Sequence, residues 1–171
     1  LEKKFLNNNI HNKKIDILEY EKNINIGEFN IEIVAMTHSI PEPNAIVIRT
    51  KKGNIFHTGD WKIDPTPLVG NPINVKKIQK ISKEKIHAMI CDSTNVFEKI
   101  PSGSENDVRN TLEKIFSEKK KGKIIISCFA SNIARLDTIA QVASHNNRSC
   151  ILLGRSLKRI YESALENNYL T

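Results

Sequence analysis

Nothing in this sequence is long and apolar enough to cross a bilayer, so no membrane span is expected. Its three cysteines, Cys91, Cys128 and Cys150, form no CxxC pair and stand singly in or beside apolar runs. That pattern excludes a disulfide framework and a zinc knuckle, and predicts buried free thiols in a reducing, cytoplasmic setting. None of the seven glycines builds a Walker loop or a dinucleotide fingerprint, so ATP and NAD are not expected. Internal repeats and low-complexity tracts are missing too. The opening Leu1-Glu2-Lys3-Lys4-Phe5 has no apolar core of a secretory signal, and Leu rather than Met stands first. Both features read as an internal stretch of a longer protein.

What is present describes an ordinary folded chain. With 39% apolar and 26% charged residues, its 171 residues suffice for one good core, or for one small domain and part of another. The net charge of +7 has two readings, both open at this stage: lysines on solvated helix faces, or a surface for a polyanion such as nucleic acid. The run Lys119-Lys120-Lys121-Gly122-Lys123 reads as a helix terminus, with cations at the negative end of the dipole and Gly122 as the cap.

Apolar periodicity divides the chain into two parts. Short antiparallel strands are expected at Ile15–Leu18 and Ile24–Ile26, then a strand over Ile31–Met36. Ala45–Thr50 and Asn54–Thr58 flank Lys51-Lys52-Gly53, which is hairpin-turn chemistry. A connection through Pro65, Pro67 and Pro72 leads to a helix ending near Lys85, and His87–Cys91 reads as a buried strand. The pattern changes across Glu98–Ser104. Beyond it, helices over Ser104–Lys120, Ser131–His145 and Ser156–Asn168 alternate with strand-like runs at Lys123–Cys128 and Cys150–Leu153. Such a βαβα series predicts a parallel sheet with right-handed crossovers.

Three strand-like runs end in groups able to do chemistry: Thr37-His38-Ser39, Thr58-Gly59-Asp60 and Cys91-Asp92-Ser93. Side chains beyond the carboxyl ends of neighbouring strands converge where α/β folds hold ligands. An imidazole and carboxylates brought together there suit a divalent metal. Each group also has a bland explanation: His38 as a surface loop residue, Asp60 as a turn residue after Gly59, Asp92 as an Asx turn or helix cap. A chemical role for Asp92 is acid–base work beside a metal. Ser131-Asn132 and Arg155-Ser156 stand near expected helix N-termini, which attract phosphate, although N-capping alone explains the serines. Trp61 and Phe129 are candidate base-stacking aromatics, with a core position as the ordinary alternative.

With these phrases in hand, the sequence resembles the ribonuclease J family, in the β-CASP branch of the metallo-β-lactamase fold. The resemblance rests on Thr37-His38-Ser39-Ile40-Pro41, His57 to Pro65, Cys91 to Asn95, Ser104-Glu105, Phe129 to Asn132 and Gly154-Arg155-Ser156, in family order. It implies an α/β fold in which residues 1–100 form part of a metallo-β-lactamase αββα sandwich and residues 101–171 begin a Rossmann-like β-CASP domain. It also implies that His38 is a metal ligand and Asp60 a carboxylate bridging two divalent ions, zinc or manganese. Asp92 would be the acid beside them, with Asp60 and Asp92 the catalytic pair. Ser131, Asn132, Arg155 and Ser156 would contact RNA phosphates.

The implied activity is two-metal hydrolysis of RNA phosphodiester bonds, 5′-3′ exonucleolytic, endonucleolytic or both, in a cytoplasmic homo-oligomer. The family's His-x-His-x-Asp-His cluster does not occur in this chain, so the chain alone is expected to be inactive. The alternatives are a non-catalytic RNA-binding paralogue and a metallo-β-lactamase-fold hydrolase of another substrate class.

Overall fold

Residues 2–11, 14–20 and 22–170 are described in a computed structural model. After a short helix, α1 (Glu2–Asn7), come the strands β1 (Asn23–Ile26), β2 (Phe29–Ala35), β3 (Asn44–Thr50) and β4 (Gly53–His57). Helix α2 (Val75–Ile81) then leads to β5 (Ile86–Ile90), followed by α3 (Glu105–Glu118), α4 (Ile133–His145) and α5 (Arg155–Glu166). The five strands form one sheet in the order β1-β2-β3-β4-β5, antiparallel up to β4 and parallel between β4 and β5. The fold is therefore mixed α/β. Among the described residues no helix is long and apolar enough to cross a membrane.

Alternation along β2 and β3 explains the first core. Val34, Ala45, Val47 and Phe56 share it with Met36 and with Ile81 of α2, and Trp61, Ile73, Ile78 and Ile86 pack around them. The hairpin forms where expected: Thr50 pairs with Gly53 across Lys51-Lys52, and the Thr50 hydroxyl accepts the Lys52 and Gly53 N–H groups, each at 3.1 Å. Buried Glu32 shares this face. It is neutralised by Arg49 at 2.6 Å and by Lys77, while Arg49 also grips Glu84 at 2.6 and 2.8 Å.

A second core lies between α3 and α4, where Phe116, Val142 and Ala143 are buried with Leu112, Ile124 and Ile126 against them. Ser104 and Asp107 make a reciprocal capping box at the start of α3, and Asn132 caps α4 through the Arg135 N–H at 2.9 Å.

Several expectations are corrected here. Ile15–Leu18 is irregular, with Ile17 92% exposed, and the unforeseen α1 precedes it. The stretches 123–128 and 150–153 are not strands, so the expected parallel sheet does not form among the described residues. A strand exists only through a ladder with a neighbour about 4.8 Å away, and neither stretch has one. The 123–128 stretch nevertheless keeps the strand period. Ile124 and Ile126 lean on the second core while Ile125 between them is 92% exposed.

Strand β5 is an open edge rather than a buried strand, with Met89 and Ile90 exposed, because only β4 pairs with it. The cysteines are free but not buried: Cys91 and Cys150 are exposed and Cys128 is half-buried. Helix α3 stops at Glu118 with Lys119 as its cap, so Gly122 lies beyond the terminus and does not cap it.

Candidate active site at the ends of three strands

Two antiparallel steps separate β2 from β4, and β5 runs parallel to β4, so the three strands point the same way. Their carboxyl ends carry His38, Asp60 and Asp92. A single bridge draws the first two loops together. Thr37 pairs with Lys62, the Lys62 N–H donating to the Thr37 carbonyl at 2.8 Å and the Thr37 hydroxyl to the Lys62 carbonyl at 2.5 Å. His38 follows one partner of that bridge and Asp60 precedes the other by two residues.

The turn bearing Asp60 requires glycine. Gly59 has φ +60°, and a Cβ there would stand 2.6 Å from the Asn44 carbonyl oxygen. Its N–H donates to His57 Nδ1 at 3.0 Å. Thr58, 2% exposed, links this turn to the next. Its N–H donates to the Ile90 carbonyl at 3.0 Å, and its hydroxyl donates to the Gly59 carbonyl at 2.7 Å. The same hydroxyl accepts the Asp92 N–H at 3.1 Å. Trp61 sends its indole N–H to the Asp92 carbonyl at 3.3 Å.

Asp92 is half-exposed. Its Oδ1 accepts the Thr94 hydroxyl at 2.6 Å and the Thr94 N–H at 3.0 Å, an Asx-type turn. These bonds hold its carboxyl below the ordinary aspartate range, and charge on nearby His38 acts in the same direction.

His38 and Asp60 line one open cleft of about 460 Å³, with Ser39, Ile40, Pro43 and Asn44, and with Phe129 and Ser131 from the loop before α4. Asp92 is not in its wall but lies within electrostatic reach of His38. Asn132 turns inward, capping α4 and donating to Glu105 at 3.3 Å, so its amide is already engaged. Arg155 and Ser156 are exposed at the start of α5 and do not line the cleft.

Imidazole and carboxylate are donors of the kind a divalent ion takes. Among the described residues, however, no three His, Cys, Asp or Glu side chains gather as a ligand group. His38 and Asp60 fit part of a coordination sphere and do not complete one.

Sequence reasoning missed the residues that hold the cleft together. Asp64, 3% exposed, accepts the Thr66 N–H at 3.0 Å and the Glu105 N–H at 3.1 Å. Glu105, 7% exposed, receives Arg135 through two bonds of 3.1 and 3.2 Å, with Lys62 at 3.7 Å. This chain of contacts runs from the Asp60 turn to the N-termini of α3 and α4, which carry Ser131 and Phe129 to the cleft. Its one visible signal was the pair Ser104-Glu105 opening a helical pattern.

Residues 121–171 match the family model "Ribonuclease J, beta-CASP domain". Over 150 residues the chain is 41% identical to ribonuclease J of Sinorhizobium meliloti, covering 88% of this chain and 26% of that protein. With ribonuclease J of Corynebacterium glutamicum it shares 37% identity over 158 residues, covering 92% of this chain and 22% of that protein. The chain thus spans about a quarter of the length of these relatives. A crystal structure of a protein of unknown function from Enterococcus faecalis superposes with TM-score 0.59 at 19% identity, covering 90% of this chain and 36% of that one.

Proposed function

Because the chain is related to ribonuclease J over most of its length and ends in sequence of that family's β-CASP domain, we propose that it belongs to a metal-dependent ribonuclease. In this reading residues 1–100 are part of a metallo-β-lactamase αββα sandwich and residues 101–171 the start of the β-CASP domain. The substrate is RNA, the bond cut is a phosphodiester, and the intact protein is a cytoplasmic homo-oligomer acting from a 5′ end, internally, or both. The observation that carries the reading is the cleft shared by His38 and Asp60, with Asp92 beside it.

His38 would supply one nitrogen ligand and Asp60 a carboxylate able to bridge two ions, zinc or manganese, with the remaining ligands coming from elsewhere in the intact protein. Divalent ions held there would supply an acidified water and charge neutralisation at a phosphate. Asp92, whose carboxyl the Thr94 bonds hold below the ordinary aspartate range, would stand beside that site as its acid–base group. Ser131 offers a hydroxyl to a phosphate oxygen at the cleft's other wall.

The test is Asp60→Ala in the full-length protein. Cleavage of a labelled RNA is expected to fall to background, while RNA affinity by gel shift stays within a few-fold of wild type. Turnover retained by the variant would remove the assigned role.

A further inference from the structure

Phe129 is 85% exposed and belongs to neither core. It stands in the wall of the cleft that also holds His38 and Asp60. Ile40, 44% exposed, and Pro43 add further apolar surface to that wall. The cleft is thus of two characters. His38, Ser39, Asp60 and Ser131 offer charged and hydrogen-bonding groups, whereas Phe129, Ile40 and Pro43 offer flat or apolar area and no hydrogen bond.

A nucleotide has the same division, an anionic phosphate joined to a planar base whose faces are hydrophobic. The cleft is open to solvent, and the chain's +7 charge favours a polyanionic ligand. Phe129 is also held at its post. Its carbonyl accepts the Asn132 N–H at 3.1 Å, and Asn132 is locked by its cap on α4 and its bond to Glu105. A ring on a braced backbone loses little entropy when a base stacks on it.

From these observations we infer that Phe129 is the platform on which one nucleobase of a single-stranded RNA stacks, next to the phosphate presented to His38 and Asp60. The inference rests on the ribonuclease reading and adds to it a named positioning residue and a subsite. Stacking ignores base identity, since every base has a π-face, so Phe129 sets where the strand is cut rather than which sequence is chosen.

The experiment uses the full-length protein, wild type against Phe129→Ala and Phe129→Trp, on one short RNA and on a series carrying a single abasic residue at each position around the cleaved bond. Phe129→Ala is expected to raise the KM for the intact RNA roughly 5- to 100-fold, the range that one base–aromatic stack supplies. Phe129→Trp is expected to hold it near wild type, and all three melting temperatures to agree. The Phe129→Ala penalty should vanish for the one RNA that lacks the stacked base and persist for the others. A penalty equal across the whole abasic series, or a Phe129→Ala protein that melts early and loses activity on every RNA alike, overturns the inference while leaving the ribonuclease reading intact. Absence of RNA cleavage by the wild-type protein would instead overturn that reading itself.

Discussion

Thr58 shows how one hydroxyl can matter beside more conspicuous neighbours. It donates to the Gly59 carbonyl at 2.7 Å and accepts the Asp92 N–H at 3.1 Å, so one side chain ties the turns bearing Asp60 and Asp92. Thr58→Val keeps the shape, removes the hydroxyl and leaves the half-buried Asp92 N–H without its partner, at a cost of about 1 kcal/mol. In the full-length protein this variant is expected to lose at least tenfold in kcat with little change in KM, and Thr58→Ser to recover most of it. Equal kcat values for Val and wild type in single-turnover assays would show that the clasp does not position the acids. A threonine inside a Thr-Gly-Asp turn is easily read as turn chemistry. Its second partner lies 34 residues away, which no local pattern announces.

Helices α3 and α4 reach the loop that follows β4 through their N-terminal ends, and Glu105 is the joint. Burial by itself would raise its pKa, but bonds from Arg135 and Asn132 and the charges of Arg135 and Lys62 outweigh that and lower it. A carboxyl lowered in the folded state contributes stability that is fully present above its unfolded value near pH 4.3, and that is lost as pH falls through the folded value. Urea unfolding from about pH 3 to 7 is therefore expected to show stability falling on the acid side, and less steeply in Glu105→Gln. Arg135→Ala leaves Glu105 buried with only Lys62 as counter-charge. It should cost roughly 2–3 kcal/mol at neutral pH, near the low end for a broken buried pair because Arg135 keeps a quarter of its side chain exposed. A loss below about 0.5 kcal/mol, typical of a surface pair, would show that the joint carries no load.

At the scale of the whole molecule, two side chains of a kind that can hold a metal line one cleft, and no three such groups gather among the described residues. The chain by itself is accordingly expected to bind zinc or manganese weakly and to cleave no RNA. Calorimetric titration should show no tight site, and two tight sites would contradict this ligand count. The exposed Ile125, Ile151 and Leu153 belong to runs whose composition suits strands, and what they lack is a ladder partner. Sheet structure is a property of pairs of segments, so apolar runs alone did not determine whether these two would become strands.

What the amino-acid order determined was whatever depends on near neighbours. The Lys51-Lys52 hairpin, the capped start of α3, and the alternation that buries Val34, Ala45 and Val47 all follow from residues a few positions apart. The positions of His38, Asp60 and Asp92 after three strands were equally legible. That His38 and Asp60 share one cleft with Asp92 nearby was decided only in three dimensions. It depends on the Thr37–Lys62 bridge across 25 residues, on the Thr58 clasp, and on a buried Asp64–Glu105 joint spanning 41. Each is a hydrogen bond whose partner is chosen by the packed fold, because a buried polar group must be satisfied by whatever the chain brings beside it.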